Sequence, residues 1–227
     1  MSIQKIARLA GVSVATVSRV LNNSDTVKPK NRERVLQAIK ESNYQPNLLA
    51  RQLRTARSYM ILVMVSNIAN PFCAEVVKGI EEEAEKHGYR ILLCNSGSDL
   101  ARSTSGLRLL SGKVVDGIIT MNALSSLPEL TMMIGDAPWV QCAEYADAGS
   151  ISCVGINDID AAQGAVSRLA ESGHRRIALI NHDLSYRYAR LRERGYKNVL
   201  HVRELAWQQV AYASDLSAAA GKAAMET

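Results

Sequence analysis

The spacing of apolar residues along the chain changes character near residue 58. Before it, Ile3, Ile6, Ala7 and Ala10 recur at helical intervals, Gly11 and Val12 break the run, and Ser13 can cap a second helix bearing Val17, Val20 and Leu21 on one side. Two short helices meeting at a tight turn are therefore predicted. The other side of the second helix holds Val14, Ala15, Ser18, Arg19 and Asn22, a small, polar and basic surface that packing does not use. Residues 22–30 are polar, contain Pro29 and are expected to form a loop. A third helix follows in which Val35, Ala38 and Ile39 face inward and Tyr44 closes a small core. Pro46 and Asn47 then interrupt the chain. Residues 47–54 can add one or two helical turns carrying Ala50 and Leu53, too short to be stable alone.

From Tyr59 onward the pattern is that of fully buried strands. YMILVMVS, RILLCN, GIITM, WVQC, ISCVGI and RIALIN are continuous apolar runs of strand length, separated by amphipathic stretches such as Cys73 to His87 and Ile159 to Glu171. Apolar strands alternating with helices imply a parallel sheet covered on both faces, so the fold class is a small all-α headpiece followed by an α/β domain. The expected divisions are a headpiece at 1–45, a hinge and linker at 46–58, and an α/β core at 59–227. Within that core a first subdomain is placed at 59–183 and the start of a second at 184–227. One segment fits poorly: ARSTSGLRLLSGKVV should be a helix, yet Ser103, Thr104, Ser105 and Gly106 are weak helix formers, and its first turns are expected to fray.

Charge sharpens this division. Residues 1–57 carry eleven Lys and Arg against three Asp and Glu, whereas residues 58–227 carry sixteen against nineteen. A basic head on a mildly acidic body points to a polyanion at one end only. Cysteines 73, 94, 142 and 153 show no metal-type spacing, and three of them sit in or beside apolar runs, which suits reduced thiols in a cytoplasmic protein. No apolar run reaches membrane-spanning length and the chain opens on a folded pattern, so neither a membrane nor secretion is expected.

Catalytic signatures are missing from the sequence. Histidines 87, 174, 182 and 201 follow no ligand spacing, and there is no GxSxG, P-loop or GxGxxG after a strand. The acidic run Glu81, Glu82, Glu83 and Glu85 lies opposite an apolar helix face and reads as solvated surface. No enzyme activity, cofactor or metal is expected. The body instead offers loops at the carboxyl ends of parallel strands, where open α/β sheets bind small ligands. Asn70 and Phe72 follow the first strand and Asn122 follows GIITM, a pairing of amide groups and a flat ring suited to a sugar or nucleoside. Phe72 can equally cap the core, since packing alone accounts for a single Phe. For the head, an ordinary helical hairpin is the plain alternative to a helix that enters a DNA major groove end-on.

The strings AGVS and TVSRVLN, followed at the right separation by YQPNLLARQL, resemble the headpiece of the LacI/GalR family of bacterial transcription regulators. NPF before a long helix, GHRRIALI, and Arg192 ahead of Gly195-Tyr196 resemble that family's core, which is related to periplasmic sugar-binding proteins. The resemblance implies a sequence-specific repressor, homodimeric on a palindromic operator and governed by a small effector. Ser13 and Thr16 would position the recognition helix, and Val14, Ala15, Ser18, Arg19 and Asn22 would read base edges. Asn47, Ala50 and Leu53 would form a hinge helix in the minor groove, although the last two can also be a linker's apolar residues. Arg192 would join Asn70, Phe72 and Asn122 at the effector, or else be one of several solvated arginines on its helix. Members of the family run on past the position matching Thr227, which implies an incomplete second subdomain with impaired dimerisation. A small-molecule-binding α/β protein with an incidental basic head is the competing reading.

Overall fold

The computed structural model describes residues 2–21, 25–44, 52, 56–97, 99–122, 128–145 and 151–226. It divides into two compact units, Met1–Arg57 and Ser58–Thr227. In the first, α1 (Ile3–Ala10) is capped by Ser2 and closed by Gly11, whose left-handed backbone at φ 60° lets its N–H return to the helix. An added Cβ at Gly11 would meet only the mobile end of the Arg34 side chain, so it is the left-handed backbone that selects glycine there. Helix α2 (Val14–Leu21) turns Val17 and Val20 inward, and α3 (Pro29–Glu41) adds Val35 and Ala38. Ile6, Ala7 and Ala10 complete the core, with Ile39 and Tyr44 packed at its border. The predicted loop at 22–30 ends sooner than expected: Pro29 is the first residue of α3, where its fixed φ suits the helix and its missing N–H has no intrahelical partner to lose. Lys28 precedes it without a side-chain cap.

The second unit holds β1 (Met60–Val65), α4 (Pro71–Lys86), β2 (Arg90–Asn95), α5 (Leu100–Ser111), β3 (Gly117–Thr120), α6 (Pro128–Ile134), β4 (Trp139–Cys142) and β5 (Ser152–Val154). These strands form one parallel sheet in the order β2-β1-β3-β4-β5. Leu62 and Met64 face a core with Leu107, Leu110, Ile118, Leu130 and Ile134, while Val63 and Val65 face another with Cys73, Val77 and Met121. Helices cover both faces, and for that reason β1 is apolar throughout.

Helix α5 does not fray. Asp99 caps it, its Oδ1 accepting the Ala101 and Arg102 N–H groups, and the Ser103 and Thr104 hydroxyls donate back to the carbonyls of Asp99 and Leu100. A Cβ on Gly106 would lie 3.1 Å from Cys94 Sγ and 3.4 Å from Met64 Cε. The poor helix former thus allows the helix to approach the sheet closely, and packing overrides propensity.

The chain continues through α7 (Asp158–Glu171), β6 (Ile177–Asn181), α8 (Arg187–Val202), β7 (Gln208–Tyr212) and α9 (Ala218–Met225). Strand β6 does not extend the first sheet; it pairs in parallel with β7 alone. Val166 and Ala170 of α7 pack with Ile177, Tyr196, Val199 and Leu200 in a core of their own. Tyr196 is 1% exposed, and its hydroxyl donates to the Ile177 carbonyl at 2.7 Å and accepts the Gln209 N–H at 3.2 Å, joining both strands to α8.

Candidate nucleic-acid interface and ligand cleft

At the start of α2, Ser13 Oγ accepts the Thr16 N–H at 3.2 Å and lies 2.9 Å from Thr16 Oγ1. This satisfies one of the helix's unpaired N-terminal donors. With Val17 and Val20 committed to the core, Val14 is left 41% exposed, Ala15 and Arg19 are exposed, and Ser18 is half-buried. These four residues share one face of α2. A short helix with small side chains at its leading end and an arginine one turn later can approach base edges closely, and a guanidinium matches the two acceptors of guanine. Asn22, Asn47, Ala50 and Leu53 lie outside the described residues.

The second candidate site lies at the carboxyl ends of β1 to β4 and the facing end of α8. Asn70 caps α4, its Oδ1 accepting the Phe72 N–H at 2.9 Å. Phe72 is 58% exposed, which rules out the core-capping role. Asn122 donates through Nδ2 to Ser96 Oγ at 3.0 Å, whereas its Oδ1 is buried without a hydrogen-bond partner. Gln141 Nε2, on β4, is orphaned in the same way. A buried polar atom without a partner is costly, and a bound hydroxyl or amide would relieve it.

Arg192 is anchored. Its Nε donates to Asp158 Oδ1 at 2.8 Å and its guanidinium lies 5.0 Å from the Tyr188 ring centre. Asp158 is buried and the Arg192 side chain remains 48% exposed, so the outer guanidinium nitrogens face outward from a neutralised pair. The Tyr188 hydroxyl is 2.6 Å from His182 Nδ1, and the His182 ring stacks on Tyr186 at 4.5 Å. Burial, with Tyr186 and Glu144 adding to it, pushes the Tyr188 hydroxyl up to about 12, so it stays protonated at neutral pH.

The two lobes are joined beside this cluster. Tyr186 supplies no side-chain cap to α8; Glu144, in the segment after β4, does so from the first lobe. Its Oε1 accepts the Arg187 N–H at 2.7 Å and its Oε2 the Tyr188 N–H at 3.4 Å, while the Arg187 guanidinium lies 4.2 Å from the Tyr145 ring centre. A carboxylate at a helix N-terminus is favoured both by the open donors and by the helix dipole. The structure thus ties Asn122 to Ser96 and Arg192 to Asp158 and Tyr188, with Tyr188 in turn beside His182 and Glu144.

Burial raises the thiols of Cys73, Cys94 and Cys142 above their ordinary value and so disfavours the reactive thiolate. Among the described residues no cluster of His, Cys, Asp or Glu is placed to hold a metal ion, and no helix is long and apolar enough to cross a membrane.

Residues 2–47 match the bacterial regulatory proteins of the lacI family, and residues 58–227 match the periplasmic binding proteins and sugar binding domain of the LacI family. The chain belongs to the LacI family. Among its LacI-family relatives, the HTH-type transcriptional regulator RegA of Clostridium acetobutylicum is 37% identical over 177 residues, covering 76% of this chain and 53% of the relative. The ribose operon repressor of Escherichia coli is 34% identical over 198 residues, covering 86% of this chain and 60% of the repressor. The chain therefore spans between half and three-fifths of these relatives. In structure it is similar to the lac repressor dimer bound to operator and the anti-inducer ONPF, with a TM-score of 0.81 and 28% identity over 97% of this chain and 67% of that one. An uncharacterized protein from Actinobacillus succinogenes is 61% identical, with a TM-score of 0.70, over 74% of this chain and 63% of its own.

Proposed function

We propose that this LacI-family chain is a sequence-specific transcription regulator, a repressor whose hold on a palindromic operator is controlled by a small sugar or nucleoside. The exposed face of α2 carries the reading. Arg19 makes a forked contact to guanine, Val14 and Ala15 meet a thymine methyl, Ser18 and Asn22 add polar contacts, and Ser13 and Thr16 hold the helix end in place. Asn47, Ala50 and Leu53 form the minor-groove hinge of a homodimer. Working in the cytoplasm, the protein takes its effector in the cleft, with Phe72 stacking on the ligand, the Asn122 carbonyl accepting a hydroxyl, and the outer nitrogens of Arg192 donating to another. Asn70 shapes the loop through its bond to the Phe72 N–H.

Binding-site selection with the wild-type chain and with Arg19→Ala tests the reading. The substitution should abolish base preference at one position in each half-site, at a cost of about 1–3 kcal/mol, while affinity at the remaining positions keeps its order. An unchanged base preference would remove α2 from the role assigned to it.

A further inference from the structure

The chain enters the α/β unit through Ser58 and Tyr59, and one distant carboxylate holds both. Asp116, half-buried just before β3, accepts the Ser58 N–H at 2.7 Å and the Ser58 hydroxyl at 2.9 Å through Oδ1. Through Oδ2 it accepts the Tyr59 N–H at 3.0 Å. Ser58 Oγ in turn accepts the Met60 N–H at 3.2 Å. Around this knot the Asp116 N–H donates to the Met60 carbonyl at 2.8 Å, and the Arg90 N–H donates to the Tyr59 carbonyl at 2.9 Å. The Tyr59 and Tyr89 rings lie 5.5 Å apart.

The backbone at this point is under constraint. Tyr59 has φ 58° and Ala56 has φ 53°, a left-handed conformation that side chains with a Cβ disfavour, a bulky aromatic most of all. Such a turn persists only where its surroundings over-determine it. Strand β1 does not need it, because the ladders to β2 and β3 already fix residues 60–65. What the carboxylate fixes is the direction of the chain immediately before the strand, where residues 1–57 are attached.

We propose that Asp116 is a positioning residue for DNA binding: by clamping Ser58 and Tyr59 it restricts the directions in which the headpiece leaves the α/β unit, and so raises the share of orientations that can engage an operator. This rests on the DNA-binding reading above. A headpiece attached by a loose joint spends most of its time misdirected, and its apparent affinity falls by the fraction correctly placed.

The test uses the full chain. Binding-site selection with the wild type supplies an enriched duplex, which is titrated with wild type and Asp116→Asn beside a random-sequence duplex of equal length at one salt concentration. Asparagine keeps the shape but offers one acceptor oxygen where two N–H groups converge, so one of them loses its partner. Affinity for the enriched duplex should fall about tenfold, as for a productive orientation populated about one time in ten, with affinity for the random duplex within about twofold. Equal losses on both duplexes mark a purely structural role and overturn the proposal. So does an unchanged affinity for the enriched duplex alongside faster hydrogen exchange at the Tyr59 amide. Should Asp116→Asn fail to fold, Ser58→Ala decides: it deletes the hydroxyl's bonds to Asp116 and to the Met60 N–H and leaves both amide bonds to the carboxylate. A loss of about threefold confined to the enriched duplex supports the clamp, and no loss overturns it. A wild-type chain that enriches no duplex overturns the DNA reading and this inference together, whereas an enriched duplex bound equally by the variants overturns this inference alone.

Discussion

In the headpiece, Val14, Ala15 and Arg19 stand on the surface of a helix whose other face supplies the core, whereas in the α/β unit Asn122, Glu144 and Arg192 are each bound to a distant part of the chain. The first arrangement follows from spacing within eight residues. The second depends on where two lobes and several loops come to rest. Residues of the first kind can be exchanged singly with little effect on the fold. Residues of the second kind act as a set, and a change at one is felt by its partners.

Substitutions that strain this distinction should do so in a definite order. The largest effect is expected from Gly195→Ala on α8, because a Cβ there would lie 2.5 Å from the Ile159 carbonyl and 2.8 Å from Ala162 Cβ. Forcing α7 and α8 apart should cost about 3 kcal/mol and move Arg192 off Asp158, giving a lower thermal midpoint and weaker effector binding by calorimetry. Random-duplex binding by the headpiece should be unaffected.

Next comes Glu144→Ala, which removes the cap of α8 and the tie between the lobes. A loss of about 1–2 kcal/mol is expected, with faster hydrogen exchange at the Arg187 and Tyr188 amides. If stability and exchange both hold at wild-type values, the lobes are not joined through this carboxylate.

Glu193→Gln should follow at about 1 kcal/mol near neutral pH. Burial works to raise the Glu193 carboxyl, but hydrogen bonds from Lys197, Tyr212 and Asn181 bring it below the ordinary range. A carboxyl lowered in the folded state adds stability that is complete above its unfolded value, about 4.3, and is lost as pH falls through the folded value. The variant should therefore show a shallower decline on acidification, measured by urea melts across that window. An unaltered acid slope would show that the network contributes nothing to it.

Phe72→Ala should have the smallest effect on stability, within about 0.5 kcal/mol, because the ring is already largely in solvent. Effector affinity should nevertheless drop. A melting point lowered as far as that of a core truncation would return Phe72 to a packing role.

These contrasts explain which parts were legible in the sequence. The α2 surface was, since helical period alone sorts Val17 and Val20 from Val14 and Arg19. The run of strands was too, but not their partners: RIALIN reads like any other buried strand, and only pairing with QQVAY places it in a second sheet. The helix at 100–111 was obscured because propensity counts Gly106 as a defect, although the close approach of Cys94 and Met64 leaves little room for a side chain there. Glu144 left no trace, because its role depends on Arg187 and Tyr188, more than forty residues away. Nothing in the sequence gives Asp158 as the partner of Arg192, thirty-four residues away.

The pairing of Arg192 with Asp158 has a practical outcome. Opposite charges cancel there before any guest arrives, so an uncharged sugar entering the cleft displaces few ions, while a basic headpiece meeting phosphates releases many. Under the proposed function, rising ionic strength should weaken duplex binding by the headpiece far more than binding of an uncharged ligand by the α/β unit.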